Sequence, residues 1–337
     1  MQSFQQVQAT RRFLAVSAAF LLGSTSALAV PHYADVQDVP VAIGVSELAY
    51  APAHHRLVLR DGGSTIETID LDTLAVTRHN SKTQFTNLSL SPGQGVLFAA
   101  DYGGEQIGYG KPSGQSYVHR LDFATGKWRI DTVYIAGNVQ AESDTKFLLK
   151  SDDQWITFTN DRFAGSGAAQ VLNANDGGYW SPGWYAMVYE GDFRYDWRTK
   201  RLLHGNAGDS SQEIQAFRLQ GNDFVAAEGT GIYGSAQGYG GTVALASDGS
   251  AFYYGRLAVD ALDVTHTRQV FPESIFAATG DVAFGNGKLY DAHTAALVQA
   301  LPFASSVYGL SPTDTDFWTY DAGARMLRHF VDQPAAD

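Results

Sequence analysis

A unit of apolar strand, polar turn and second apolar strand recurs along this chain of 337 residues, and that recurrence constrains the fold more than any single motif. Its best-formed copy spans residues 243–254: Val-Ala-Leu-Ala, a Ser-Asp-Gly-Ser turn, then Ala-Phe-Tyr-Tyr. Two early copies occupy residues 48–59 and 88–98, and others begin near Val139, Met187, Phe276 and Val307. Successive copies start 31 to 56 residues apart, an interval that four short strands fill. A single small sheet leaves its apolar faces in water, whereas neighbouring copies stacked on one another cover them. The expected fold is therefore all-β, built from repeated antiparallel sheets.

A second signature falls late in the unit. An apolar residue and Asp are followed within a few positions by Thr, as in Leu71-Asp72-Thr73, residues 121–126 and residues 290–294. Asp at the head of a turn accepts backbone N–H groups, so these segments read as turns between the third and fourth strands. Composition agrees: 17 Tyr and 19 Phe with only 17% charged residues suit β-structure and exclude a coiled coil.

On stretches 48–76, 88–130, 243–270 and 275–331 the chain resembles the YVTN and WD40-like β-propeller repeats of exported bacterial proteins, although the YVTN tetrapeptide itself is absent. The resemblance implies four-stranded blades set radially around a channel, and it implies no activity. Seven starts predict a seven-bladed propeller, with six blades as the alternative. The last unit has only three strands. A spare apolar segment at residues 39–43 is expected to act as its fourth, closing the ring and removing a raw sheet edge. Pro40 suits such an outer strand, where one N–H faces solvent.

Residues 1–29 read as a signal peptide: Arg11 and Arg12, a ten-residue apolar run from Phe13, then Ala27-Leu28-Ala29 before the expected mature start at Val30. Residues 30–337 are read as a single propeller domain in the periplasm or outside the cell. The net charge of −12 becomes more negative once both arginines leave, which disfavours nucleic acid and anionic membrane as partners. No later apolar run is long enough to span a bilayer. With no Cys, the domain has no disulfides and depends on its core.

Four long segments are expected on the face where second-to-third-strand and blade-to-blade connections meet: 101–116, 172–185, 205–212 and 229–241. Glycine is mixed there with Tyr109, Tyr179, Trp180, Trp184, Tyr185, Tyr233 and Tyr239. Flat rings with a polar handle suit a carbohydrate, peptide or envelope-protein partner. No familiar catalytic motif is present, so a binding protein is the first expectation. The alternatives are a scaffold in an envelope complex and a propeller enzyme, a lactonase-like hydrolase or polysaccharide lyase. The enzyme's candidate residues are His204, Tyr179, Arg194 and Glu190. No cofactor is predicted. Calcium is the metal that Asp152-Asp153, Asp314 with Asp316, or Asn173 to Asp176 can be asked to hold, without the spacing of an EF-hand loop.

Overall fold

The computed structural model describes residues 32–91, 93–101, 113–136, 146–151, 154–158, 169–173, 179–180, 191–206, 213–220, 223–227 and 241–333. Among them the strands pair into seven four-stranded antiparallel sheets. We number the sheets as blades and letter their strands a to d outward from the axis. Blade 1 is Glu47–Ala51, Arg56–Arg60, Thr65–Asp70 and Val76–Asn80. Blade 2 is Phe85–Leu90, Val96–Asp101, Ser113–Asp122 and Lys127–Ala136. Blade 3 is Lys146–Ser151, Gln154–Phe158, Ala169–Asn173 and Tyr179–Trp180. Blade 4 is Gly191–Asp196, Arg201–Asn206, Ile214–Gln220 and Asp223–Ala226. Blade 5 is Val243–Leu245, Ala251–Tyr254, Leu257–Asp260 and Thr267–Val270. Blade 6 is Ala277–Ala278, Val282–Phe284, Lys288–Asp291 and Leu297–Ala300. Blade 7 is Tyr308–Leu310, Asp316–Asp321, Met326–Gln333 and, as its outer strand, His32–Pro40.

Each strand a touches the strand a of the next blade, and that of blade 7 touches that of blade 1, so the sheets close into a ring. The core lies between blades. One apolar cluster joins Val58 and Ile66 of blade 1 to Phe85, Leu97 and Leu121 of blade 2. Others join blades 4 and 5, 5 and 6, 6 and 7, and 7 and 1. A middle strand is covered on both faces, which is why Leu57, Val58 and Leu59 are all buried. The outer strand Val76–Asn80 is largely exposed and correspondingly polar. Close approach of blades 4 and 5 needs Gly205, because a Cβ there would enter the ring of Tyr254.

The closing strand is present, but not where the apolar run suggested. Pairing runs from His32 opposite Gln333 to Pro40 opposite Met326, with a bulge between Asp35 and Gln37. Residues 41–43 lie beyond the strand, and the Val41 N–H donates to Arg325 O at 3.1 Å. Packing sets this register: Tyr33 and Val39 are the buried residues of the strand. Arg328 adds ionic contacts to Asp35 and Asp38 on it. Pro40 falls at the strand's end.

The acidic turns do join strands c and d. Asp122 accepts from the Thr125 amide at 2.9 Å, and Asp291 from the amides of His293 and Thr294 at 2.9 and 2.7 Å. In blade 1 the residue is Asp70, not Asp72. Asp70 ends strand c and accepts from the Asp72 and Thr73 amides at 3.0 and 2.9 Å, while Asp72 meets His55 on the surface. The three turns thus share the spacing Asp-x-x-Thr. The Thr73 and Thr125 amides hold Asp70 and Asp122 below the usual carboxylate range.

Candidate functional site

A cavity of about 490 Å³ runs along the ring axis. Its lining comes from strands a and the residues leading into them. Ser46, Thr86, Thr242 and Ser306 mark the end where the d–a connections arrive, and Leu90 and Trp197 the opposite end. Strand alternation places Asp192 and Arg194 two residues apart on strand a of blade 4. Both line the cavity, as do Glu47 and Arg60 of blade 1.

Both arginines are held in place. Glu47 Oε2 accepts from Arg60 Nε at 2.9 Å and from the Leu88 N–H of blade 2 at 3.0 Å. Arg60 Nη1 donates to Phe85 O at 3.0 Å. Arg194 Nη1 donates to Asp192 Oδ2 at 3.2 Å and to Phe193 O at 2.7 Å. These bonds leave Nε and Nη2 of Arg194, and Nη2 of Arg60, without a protein partner among the described residues. The site therefore offers fixed cationic donors beside carboxylate acceptors, among hydroxyl groups.

Of the residues singled out from sequence, Arg194 reaches the axis. His204 does not: it is fully buried in strand b of blade 4, stacked on Phe193 at 4.5 Å, with Nδ1 3.3 Å from Gln215 Oε1. The expected loop 172–185 is divided, because residues 172–173 end strand c of blade 3 and Tyr179–Trp180 form its strand d. Tyr179 pairs with Leu172 and Trp180 with Val171, which puts both on the outer strand rather than in a blade-to-blade loop. Short β-runs of aromatic residues extend a sheet readily, and the glycine-rich context hid this one. Tyr109, Trp184, Tyr185, Glu190, Tyr233 and Tyr239 lie outside the described residues, as do residues 1–29 and the unit starts at Val139 and Met187. So do Asp152-Asp153 and residues 174–176. Asp314 and Asp316 are engaged by protein donors: Ser247 Oγ lies 2.6 Å from Asp314, and His329 Nε2 2.8 Å from Asp316.

The pattern search missed two groups. Glu47 and Arg60 were overlooked because their pairing spans two strands of one blade and depends on the neighbouring blade. The other is a chain at the seam of blades 1 and 2, buried at Asp101 and His119 and half-buried at His79. His119 Nε2 is 3.2 Å from Asp101 Oδ2, and its Nδ1 is 2.7 Å from His79 Nε2. His79 stacks on Trp128 at 4.1 Å. Ser81 also bonds Asp101. Its hydroxyl donates to the same carboxylate oxygen that His119 Nε2 meets. With Asp101 and His119 buried, the group acts as a clamp between blades.

That clamp predicts acid sensitivity. Burial, with His119 adding to it, lowers the pKa of His79 from 6.5 to about 4. The unfolded chain then binds a proton that the folded chain refuses, so stability falls as pH drops from 6.5 towards 4. The loss should be about 2 kcal/mol, set well below full conversion because the ring is only partly enclosed. Urea midpoints at neutral and acid pH check this. His79→Phe, which keeps the stacking and cannot titrate, should show a smaller acid shift than the unaltered chain. Equal shifts would remove His79 as the cause.

No protein-family model matches the chain, and no curated protein matches it significantly. Among solved structures, it is similar to the β-propeller domain of Cps50 (Swd1) from Myceliophteria thermophila. That match has a TM-score of 0.57 and 12% identity, and it covers 90% of this chain and 100% of that one. At such identity the likeness concerns the fold alone.

Proposed function

We propose that this chain is an exported, non-catalytic binding protein. It holds a carbohydrate, peptide or protein partner at the face where the b–c and d–a connections surround the axial cavity. The observation that supports this is the cavity itself: two arginine–carboxylate pairs with spare donors, fixed on a rigid ring, recognise without needing a moving part. Blade 2 adds to the face. Its strands c and d continue as a ribbon, residues 113–116 against 133–136, past the last residue of strand b at Asp101.

The leader and the acidic charge support the periplasm or the cell exterior as its place. Sequencing the mature N-terminus checks this, with Val30 as the expected first residue. The binding reading is tested by screening immobilised glycans and peptides with the mature chain. Trp184→Ala and Tyr233→Ala should weaken capture by about 1 kcal/mol or more with little change in melting temperature. Capture unaltered by both would remove the loops from the site. The enzymatic alternative keeps one supporting observation, Arg194 in the cavity, where a guanidinium can neutralise a substrate carboxylate. Release of unsaturated or ring-opened product from uronan or lactone substrates would favour it.

A further inference from the structure

We propose that the outer strand of blade 2 pairs with the same strand of a second copy, joining two propellers rim to rim about a twofold axis at Ile130. The interface lies on the rim and is separate from the binding reading above. An outer strand presents unpaired N–H and C=O groups, so such an edge is normally kept short or broken by a bulge. Among the described residues the other blades follow that rule. The outer strands of blades 1, 3 and 4 run for five, two and four residues. Those of blades 5, 6 and 7 each carry a break in register against strand c. Lys127–Ala136 departs from it: ten residues pair with Ser113–Asp122 without one break, and no described strand pairs with the outer edge.

The amino-acid order of this strand points to its own copy as the occupant. In an antiparallel pair of identical strands, residues equally far from the centre stand opposite one another. With Ile130 at the centre, Arg129 of each copy faces the Asp131 position of the other, so one contact supplies two opposite-charge pairs. Moving the centre by one residue sets Arg129 or Asp131 opposite itself, which repels. Charge thus selects one register. Within its own blade Arg129 already stands opposite Arg120, and an incoming carboxylate offsets that like-charge pair. Ile130, 53% exposed, meets its own copy across the axis. Each copy has one such edge, so the assembly closes at two.

The test reads register and affinity separately. The chain has no Cys, so Ile130→Cys introduces a single thiol. Opposite residues of an antiparallel pair have Cα atoms about 4.5–5.5 Å apart, within disulfide reach. With oxidised glutathione, Ile130→Cys should form a covalent dimer. Val76→Cys, similarly exposed at 49% on the outer strand of blade 1, should stay monomeric. Sedimentation velocity on the mature chain should show a monomer–dimer equilibrium with Kd of about 10–100 μM, as for a small interface. Arg129→Asp and Asp131→Arg should each weaken it about tenfold or more, and the double variant should restore it. Circular dichroism and melting temperature verify that every variant is folded.

A chain that stays monomeric up to about 500 μM overturns the proposal. So does a dimer that survives both single reversals, or a double variant as weak as the single ones. Val76→Cys cross-linking as readily as Ile130→Cys would show random collision instead of a register. Species larger than a dimer would mean that the edges do not meet about a twofold axis. None of these results touches the capture assays, which test the binding face by themselves.

Discussion

Deleting residues 33–40 should lower the melting temperature by about 10 °C or more, as a destabilisation of roughly 5 kcal/mol implies for a chain of this size. The deletion removes the outer strand of blade 7 and its whole ladder with Met326–Gln333. Tyr33 and Val39 leave the core, where they are 2% and 3% exposed. Burial of those two side chains alone is worth several kcal/mol. Arg328 loses Asp35 and Asp38 and keeps Asp321. A new edge opens on strand c of blade 7, where another chain can pair, so the variant should also aggregate on heating. Scanning calorimetry decides the matter. A melting temperature equal to that of the intact chain would show that the termini do not hold the ring shut.

Phe317→Ala should cost about 3–5 kcal/mol, the range for losing a large buried aromatic. The ring is 1% exposed and stands at the junction of blade 6, blade 7 and the N-terminal strand. It stacks on Phe330 at 5.1 Å and meets Phe284 and Tyr33 edge-on at 4.9 and 5.0 Å. The space cannot be refilled by one neighbour, because Phe330 and Tyr33 are held by the ladder of blade 7 and Phe284 by that of blade 6, so a cavity should persist. Chemical denaturation gives the value. A double variant with Tyr33→Ala should fall short of the sum of the two single losses by about 0.5–1.5 kcal/mol, because the edge-on pair is removed once. Strict additivity would mean that Tyr33 and Phe317 stabilise the seam independently.

How far sequence reading reached is clear from particular residues. The copies at 48–59, 88–98 and 243–254 name strands that exist, since a doubly covered strand must be apolar along its length. The Asp-x-x-Thr turns were visible as turns, yet the register in blade 1 slipped by two because Leu71-Asp72-Thr73 imitates the apolar-Asp-Thr pattern that Asp70 completes. Glycine and aromatic content marked 172–185 as a loop, while backbone pairing makes Tyr179–Trp180 a strand. Arg194 was a candidate for chemistry, and the two-residue spacing puts Asp192 on its face of the strand, but nothing local reveals the axis as their destination. Glu47 and Arg60 left no sequence signal at all: their bond forms because adjacent strands of blade 1 are in register there, with Glu47 opposite Arg60.

The amino-acid order by itself determined that this chain is all-β, that its unit is a small four-stranded sheet, and that its last unit needs a strand from elsewhere. Those conclusions rest on periodicity and turn chemistry, which act over a few residues. Only the tertiary structure decided which segment closes the ring, because Asp35–Phe330 and Pro40–Met326 pairing is set by Tyr33 and Val39 finding the core of blades 6, 7 and 1. It likewise decided that Arg60, Glu47, Arg194 and Asp192 face one cavity. Their separation along the chain is bridged by the curvature of the ring, and no local pattern encodes a distance across an axis.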